Sequence, residues 1–159
     1  MPRITRSQLT RLQHLDEHAC RQAGEHILRI KVRKPVWLSS NSRGGWKAVA
    51  PTIKSLRRLG LDARTDWRNR HPAEYRSIRD ADIIDVACVT HWLTDRENGH
   101  DSGNAAATAK PIIDGLTDAG YWADDSSRYM LGPKYLSAPS RHNGDYELEL
   151  HVTPYTITD

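Results

Sequence analysis

The residues best suited to chemistry lie in one stretch, HDSGNAAATAKPIIDGLTDAGYWADDS, at positions 100–126. It groups carboxylates, an amide and a lysine over a short interval: Asp101, Asn104, Lys110, Asp114, Asp124 and Asp125. Hard divalent cations such as magnesium bind oxygen ligands, often one or two carboxylates with the remaining positions left to water and phosphate. The stretch therefore indicates a magnesium site, and an ordinary solvated turn at the adjacent aspartates is the alternative.

Lys110 and Asp114 are four residues apart, so a helix would place them on one face. The same helix would direct three apolar residues into a core: Ile112, Ile113 and Leu116. Thr108 is a candidate cap for this helix, and Pro111 would then lie in the first turn, where proline is tolerated. Near the helix start, Lys110 could form an ordinary ion pair with Asp114 or reach a phosphate, and the spacing alone favours the ion pair.

The segment KPIIDGLTDAGYWADDS combines Lys110, Asp114, an aromatic link and the pair Asp124 and Asp125. This combination resembles the RusA family of Holliday-junction resolvases, in which a D-x-D-N motif precedes a lysine, K-x-x-x-D-[AG]-L and a DD pair. Weaker similarity covers SSNSRGGWK at 39–47 and the strand-like YELELHVTP at 146–154. The resemblance implies a mixed sheet flanked by helices, a homodimer, and magnesium-dependent hydrolysis of branched DNA.

The opening motif departs from the family pattern. Asn104 lies six residues before Lys110 instead of three, and only Asp101 remains of the two aspartates. The interval AAATA at 105–109 therefore predicts a lengthened turn, in which residues 105–107 must bulge if Asp101 is to meet the other carboxylates. The resemblance implies catalytic roles for Asp101, Lys110 and Asp125. It implies Mg²⁺, or Mn²⁺ in its place, on metal ligands drawn from Asp101, Asp124, Asp125 and Asp114.

Charge is divided unevenly along the chain. Residues 1–79 contain 18 Lys and Arg against 6 Asp and Glu, a net +12, whereas residues 80–159 have a net −9. A basic half that binds a polyanion beside carboxylates that bind metal would give this division. Charge complementarity between packed halves is the alternative. The predicted DNA contacts are Asn41, Arg43, Lys47, Lys54, Arg57, Arg58, Arg68 and Arg70, with Trp46 or Trp67 available to stack on an unpaired base.

The order of elements predicts an α+β (or α/β) fold with a small mixed sheet and two main helices. Apolar residues at helical spacing indicate helices at 7–24, 46–59 and 109–119, and the second becomes regular near Ala50 because Pro51 suits a first turn. Alternation or β-branched residues indicate strands at 27–38, 82–93, 129–131 and 146–153. Polar, proline-containing stretches at 62–79 and 132–144 are typical of loops, the first with room for a short helix.

Length predicts one domain, at 25–159, with a helical extension at 1–24. The chain lacks a long apolar stretch and a secretory signal pattern, so we expect a cytoplasmic protein. The resemblance to RusA resolvases implies a bacterial or phage setting. Cys20 and Cys88 lack ligand spacing and are expected to be free, structural thiols.

Two other functions stay open. The first is a catalytically impaired DNA-binding accessory protein on the same scaffold, which the altered opening motif favours. The second is a structural or protein-interaction domain, in which the charge division is only packing complementarity. Which branched structure or sequence would be cut does not follow from the residues.

Overall fold

The computed structural model describes residues 1–9, 26–39, 44–97 and 101–159, and over these ranges the chain has an α+β fold. The strands are β1 (Arg3–Thr5), β2 (His26–Arg33), β3 (Ile83–His91), β4 (Met130–Ala138) and β5 (Asp145–Thr158). The helices are α1 (Trp46–Arg70), α2 (Pro72–Arg79) and α3 (Ala106–Asp118), with short 3₁₀ helices at Lys34–Val36 and Ser102–Ala105. The predicted fold class, with a small mixed sheet, is confirmed.

Strand β5 is the centre of the sheet. It pairs antiparallel with β3 on one side, and on the other side with β2 at residues 145–152 and, in parallel, with β1 at residues 156–158. Strand β4 extends the sheet by pairing in parallel with β3. The alternating sequence of β5 suits this position, because Leu148 and Leu150 face one side of the sheet and Glu147 and Glu149 face the other.

The main core lies between the sheet and the three helices, which pack on the same face. The predicted core residues of α3 are almost fully buried, with exposed fractions of 0% for Ile112, 1% for Ile113 and 0% for Leu116. A smaller apolar cluster on the opposite face joins residues from four strands: Ile4, Ile83, Leu131 and Tyr155. The helical face is therefore the better packed one, and it positions α3.

Helices α1 and α3 cross at two glycines, Gly60 and Gly115. A β-carbon on Gly60 would lie 2.2 Å from the carbonyl oxygen of Ile112, and one on Gly115 would lie 2.1 Å from that of Arg57. Backbones can approach this closely only where a side chain is absent from both helices. The crossing therefore fixes α3 against α1.

Helix α1 is longer than the sequence predicts. The region 62–79, predicted as a loop with room for a short helix, forms the second half of α1 and all of α2. Pro51 lies in the second turn of α1 rather than in the first, because the helix already begins at Trp46. Two ion pairs between residues four apart stabilise the extension: Arg58–Asp62 and Asp66–Arg70.

The start of α3 also differs from the prediction. Residues 105–109, predicted as a lengthened turn, are helical: Ala105 ends the 3₁₀ helix and α3 begins at Ala106. Alanine has the highest helix propensity, so an alanine run extends a helix rather than opening it. Thr108 therefore lies inside α3 and is not its cap. Its hydroxyl donates to the Leu38 carbonyl at 2.6 Å and accepts the Leu38 N–H at 2.7 Å.

Strand boundaries differ from the predicted ones where pairing partners are distant. Strand β4 runs through residues predicted as a connection, because Lys134 to Ala138 pair with β3. Strand β5 continues beyond residue 153, where it pairs first with β3 and then with β1, and no sequence pattern predicts β1. Strand β2 is shorter than the predicted 27–38, because the chain turns into a 3₁₀ helix at Lys34.

Part of the charge division is explained by the pairing of β2 with β5. Three basic residues of β2 lie directly opposite acidic residues of β5: Arg29 opposite Glu149, Lys31 opposite Glu147, and Arg33 opposite Asp145. Opposite charges at such positions stabilise a sheet. Complementarity between the two halves of the chain is therefore real at this edge, whereas the basic residues of α1 need a separate explanation.

Residues 6–9 are helical and coincide with the start of the predicted helix at 7–24. The remainder of that helix lies outside the described residues, as does Cys20. Cys88 is free and buried, and burial raises the pKa of its thiol to about 12. Among the helices described, none combines the length and apolar character needed to cross a membrane.

Candidate active site

Lys110 is the centre of the candidate site. Its Nζ donates to Asp114 Oδ1 at 2.5 Å and to Asp125 Oδ2 at 2.8 Å. Asp114 lies one turn further along α3, whereas Asp125 belongs to the segment after the helix. The side chains of Asp114 and Asp125 are only 26% and 25% exposed, while that of Lys110 is 60% exposed. The arrangement is an accessible cation between two partly buried carboxylates.

Each of these groups favours the charged state of the other. Hydrogen bonds to Asp114 and Asp125 raise the pKa of Lys110 above its usual value. The hydrogen bond from Lys110 lowers the pKa of Asp125, although partial burial acts in the opposite direction. Lys110 and Asp125 are therefore both charged at neutral pH. A carboxylate in this state can bind a metal cation, and an ammonium group can bind a phosphate.

Asp114 connects the site to helix α1. Its Oδ2 lies 3.6 Å from Nη1 of Arg57, and Arg57 also donates a hydrogen bond to Asp118. The sequence predicts Arg57 as a DNA contact and gives no sign of Asp118, because this pairing depends on how α1 crosses α3. Two carboxylates of α3 therefore orient Arg57 on the same side of the molecule as Lys110.

Asp124, the first residue of the predicted DD pair, has a local role. Its Oδ1 accepts the backbone N–H of Asp125 at 2.9 Å. Within the described ranges Asp124 forms no ion pair with a basic side chain. It thus lies beside Asp125 in sequence and space, and fixes the backbone of the turn that holds it.

Asp101 and Asn104, carried over from the opening motif, are engaged in local structure. Asp101 precedes the 3₁₀ helix, where its Oδ1 accepts the N–H of Gly103 at 3.0 Å and its carbonyl accepts the N–H of Asn104 at 3.0 Å. Over the part of the chain that the structure describes, no group of three or more His, Cys, Asp or Glu side chains is arranged to hold a metal ion. Asp101 therefore does not complete a three-carboxylate group around Lys110.

Six of the predicted DNA contacts lie on helix α1: Lys47, Lys54, Arg57, Arg58, Arg68 and Arg70. Arg58 and Arg70 are held in ion pairs within the helix. For Lys47, Lys54 and Arg68 no ion-pair partner is found among the described residues, so their charges face solvent. The other two predicted contacts, Asn41 and Arg43, lie outside the described residues.

The two tryptophans proposed for stacking are in different environments. Trp46, the first residue of α1, is 71% exposed. Trp67 packs against the main core, and its ring centroid lies 4.3 Å from that of His71. Of these two tryptophans, only Trp46 therefore has a ring that is accessible to a ligand.

A second polar cluster, which the sequence does not predict, surrounds Glu149 on the other face of the sheet. Glu149 is 6% exposed and accepts hydrogen bonds from His91 at 2.9 Å, from Arg141 at 2.7 Å and from His151 at 2.9 Å. Burial acts to raise the pKa of Glu149, but the hydrogen bonds from His151 and His91 outweigh it, and the pKa is lowered. Alternation along β3 and β5 indicates a shared face for these residues, but only the strand register brings them together.

Comparison with known proteins identifies no relative: the sequence matches no protein-family model and no curated protein. The assignment of a function therefore depends on the residues themselves. Among the described residues, the features that bear on function are the Lys110 cluster and the exposed basic residues of α1.

Proposed function

We propose that this protein is a magnesium-dependent endonuclease that hydrolyses phosphodiester bonds in branched DNA, including Holliday junctions, during recombination and repair. One observation carries the proposal: Lys110 Nζ lies between the carboxylates of Asp114 and Asp125, at 2.5 Å and 2.8 Å. All three belong to the segment that resembles RusA resolvases, although the resemblance also selects Asp101 and Asp124. A cation for the phosphate and a carboxylate for the metal are thus adjacent.

The chemistry of the donor set fits magnesium. Magnesium commonly uses one or two carboxylates and leaves its other positions to water and substrate phosphate, and manganese accepts the same ligands. Asp125, with a lowered pKa, and its neighbour Asp124 would hold such an ion, while Asp114 is engaged by Lys110 and Arg57. When bound, the ion supplies orientation of the attacking water and stabilisation of charge on the leaving oxygen.

The chain's own residues have separable tasks. Lys110 stays protonated and offsets negative charge on the phosphate that is cut. Asp114 positions Lys110 and, through its contact at 3.6 Å, also orients Arg57. Lys47, Lys54 and Arg68 on α1 attract the DNA backbone, since their charges face solvent.

A catalytically impaired DNA-binding accessory protein is the second candidate. The observation that favours it is the position of Asp101, which binds the backbone of Gly103 and does not join a three-carboxylate group within the described residues. The residue two positions after Asp101 is glycine in place of the family's second aspartate. The chain then keeps the basic surface and Lys110 but lacks enough ligands for efficient cleavage.

Incubation with an end-labelled four-way junction, with and without magnesium, tests the proposal. We expect magnesium-dependent cleavage that Asp125→Asn abolishes, while junction binding stays intact or becomes tighter because a repelling carboxylate is lost. Asp80→Asn is the matched control, because Asp80 is an exposed aspartate paired with its neighbour Arg79 and makes the same charge change. Cleavage by Asp125→Asn at the wild-type rate removes Asp125 from the site.

Two other outcomes select the alternatives. Salt-sensitive junction binding without cleavage at any magnesium or manganese concentration supports the accessory protein. Absence of both binding and cleavage supports a structural or protein-interaction domain, for which charge complementarity between β2 and β5 is the whole explanation of the divided charge.

The proposal includes a homodimer and a cytoplasmic, bacterial or phage setting. The dimer and the bacterial or phage setting follow from the family resemblance, and the dimer also follows from the substrate, because symmetric cutting of a four-way junction needs two sites related by a two-fold axis.

A further inference from the structure

A groove of about 520 Å³ opens beside the candidate active site, between the first turns of α1 and α3. Its walls are mainly apolar and are formed by Leu38, Trp46, Val49, Ile53 and Pro111. Lys110, Arg57 and Asp114 lie at its polar rim. Trp46 is 71% exposed, so the groove has a large ring available on one wall.

The groove is preformed rather than a gap between loosely packed elements. Two hydrogen bonds between Leu38 and Thr108, at 2.6 Å and 2.7 Å, hold the segment after β2 against α3. The glycine crossing at Gly60 and Gly115 holds α3 against α1. The Leu38 wall and the relative position of the two helices are therefore set before a ligand binds.

Basic side chains beside the apolar groove favour a ligand that has both an apolar ring and negative charge. A second groove of about 580 Å³ runs along α1 and is lined by Lys54, Arg57 and Arg58. Arg57 and Arg58 also contact acidic side chains, whereas Lys54 has no ion-pair partner among the described residues. The two grooves share Arg57, so the apolar groove and the groove along α1 lie next to each other at this side chain. An apolar slot suits the face of a nucleobase, and the adjoining cations suit its phosphates.

We propose that this groove binds an unpaired nucleotide of the DNA substrate, with its base on Trp46 and its backbone along the Lys54–Arg58 groove. A base within an intact duplex cannot leave its stack without cost, so the site selects DNA that already has unpaired nucleotides at a branch. The inference rests on the proposed nuclease function and narrows its substrate. Forks and flaps with single-stranded arms are preferred to fully paired four-way junctions.

Equilibrium binding of fluorescein-labelled oligo-dT, about 12 nucleotides long, tests the groove without any cleavage. The measurement is made in EDTA and compares single-stranded DNA with a duplex of the same length. We expect Trp46→Ala to weaken oligo-dT binding by about ten-fold, because one stacked base is lost, and to leave duplex binding unchanged. Trp46→Phe keeps an aromatic face and should bind oligo-dT within about three-fold of wild type.

Three results would overturn the inference: oligo-dT binding that Trp46→Ala does not weaken, equal losses for single strand and duplex, or no binding of oligo-dT by the wild-type protein. Failure of the nuclease proposal gives a different pattern. In that case no DNA is cut in magnesium, yet the selective loss of oligo-dT binding in Trp46→Ala persists.

Discussion

At the scale of single residues, the position of Lys110 decides how the site responds to pH. Its hydrogen bond is the main reason why the pKa of Asp125 is lowered, and the bond is short enough to be strong, at 2.8 Å. A carboxylate with a depressed pKa stays ionised as the solution becomes acidic. If Asp125 holds a metal ion as proposed, this binding should persist to lower pH than at an isolated aspartate.

Lys110→Met should raise the pKa of Asp125 toward its usual value of 3.8, because the charged hydrogen bond is removed. Protons then compete with metal at a higher pH, so the acid limb of manganese binding moves upward. Overall stability should change by less than about 1 kcal/mol, because Lys110 is largely exposed. NMR titration of the Asp125 carboxyl carbon measures the shift directly, and Lys110→Arg serves as the charge-preserving control. An unchanged pKa of Asp125 in Lys110→Met would contradict the role assigned to the hydrogen bond between Lys110 and Asp125.

Glu149 lies on the other face of the sheet from the Lys110 cluster, and we expect it to stabilise the fold. Glu149→Gln removes a buried charge that three side chains bind, and should cost about 3 kcal/mol of unfolding free energy at neutral pH. Because the folded pKa of Glu149 is lowered, its contribution is present above the usual value of 4.5 and is lost as the pH falls through the folded pKa. The difference between wild type and variant should therefore narrow on acidification.

Urea unfolding at neutral and acidic pH measures this difference. Glu74→Gln is the control, because Glu74 is 42% exposed and its contacts with His71 and His26 are long, at 3.7 Å and 3.9 Å. Its cost should stay below about 1 kcal/mol. Equal costs for the two variants would mean that the Glu149 network does not stabilise the fold.

Among the helices and strands, the sequence predicts the features that depend on local residue spacing. It does not predict the features that depend on pairing between distant segments. The four-residue spacing of Lys110 and Asp114 predicts their shared helix face, and the structure confirms that they pair. The approach of Asp125 depends on the path of the turn after α3, which spacing does not define. In the same way, β4 and the end of β5 are strands because β3 and β1 lie beside them.

The close contact between α1 and α3 can be tested by substituting one of the glycines at their crossing. Gly60→Ala should destabilise the protein by about 2 kcal/mol, because the new β-carbon would lie 2.2 Å from the carbonyl oxygen of Ile112 and the helices must separate. In an uncrowded helix the same change stabilises by up to about 1 kcal/mol, so the sign is informative. Ser55→Ala, at an exposed position of α1, should be neutral or slightly stabilising. Thermal unfolding of both variants measures the effect, and a stabilised Gly60→Ala would show that the helices are not in contact there.

At the scale of the whole molecule, the divided charge has two structural outcomes. Basic residues of β2 face acidic residues of β5, and Arg57 of α1 is bound by acidic residues of α3. Lys47, Lys54 and Arg68 of α1, which have no ion-pair partners among the described residues, keep their charges exposed to solvent. Composition predicts that the charges are separated, but only the fold shows which of them neutralise each other.

The proposed substrate determines the oligomeric state that we expect. Sedimentation velocity at micromolar concentration should show a homodimer of about 36 kDa, twice the 18.1 kDa of one chain. Two active sites related by a two-fold axis are what symmetric cutting requires. A monomer that cleaves four-way junctions at full rate would contradict the dimer, and a monomer that only binds them would agree with the accessory protein.

The central position of β5 has a consequence for how the protein is made. Strands β1 and β2 are translated first, yet their only partner in the described sheet is β5, the last of these elements to leave the ribosome. Until residues 145–158 emerge, the edges of β2 and β3 that β5 will cover are open to other chains. Contacts between such distant parts of the sequence also slow folding. The sheet can therefore assemble only once residues 145–158 are available, and a nascent chain that stops before β5 should be sensitive to protease throughout β1 and β2.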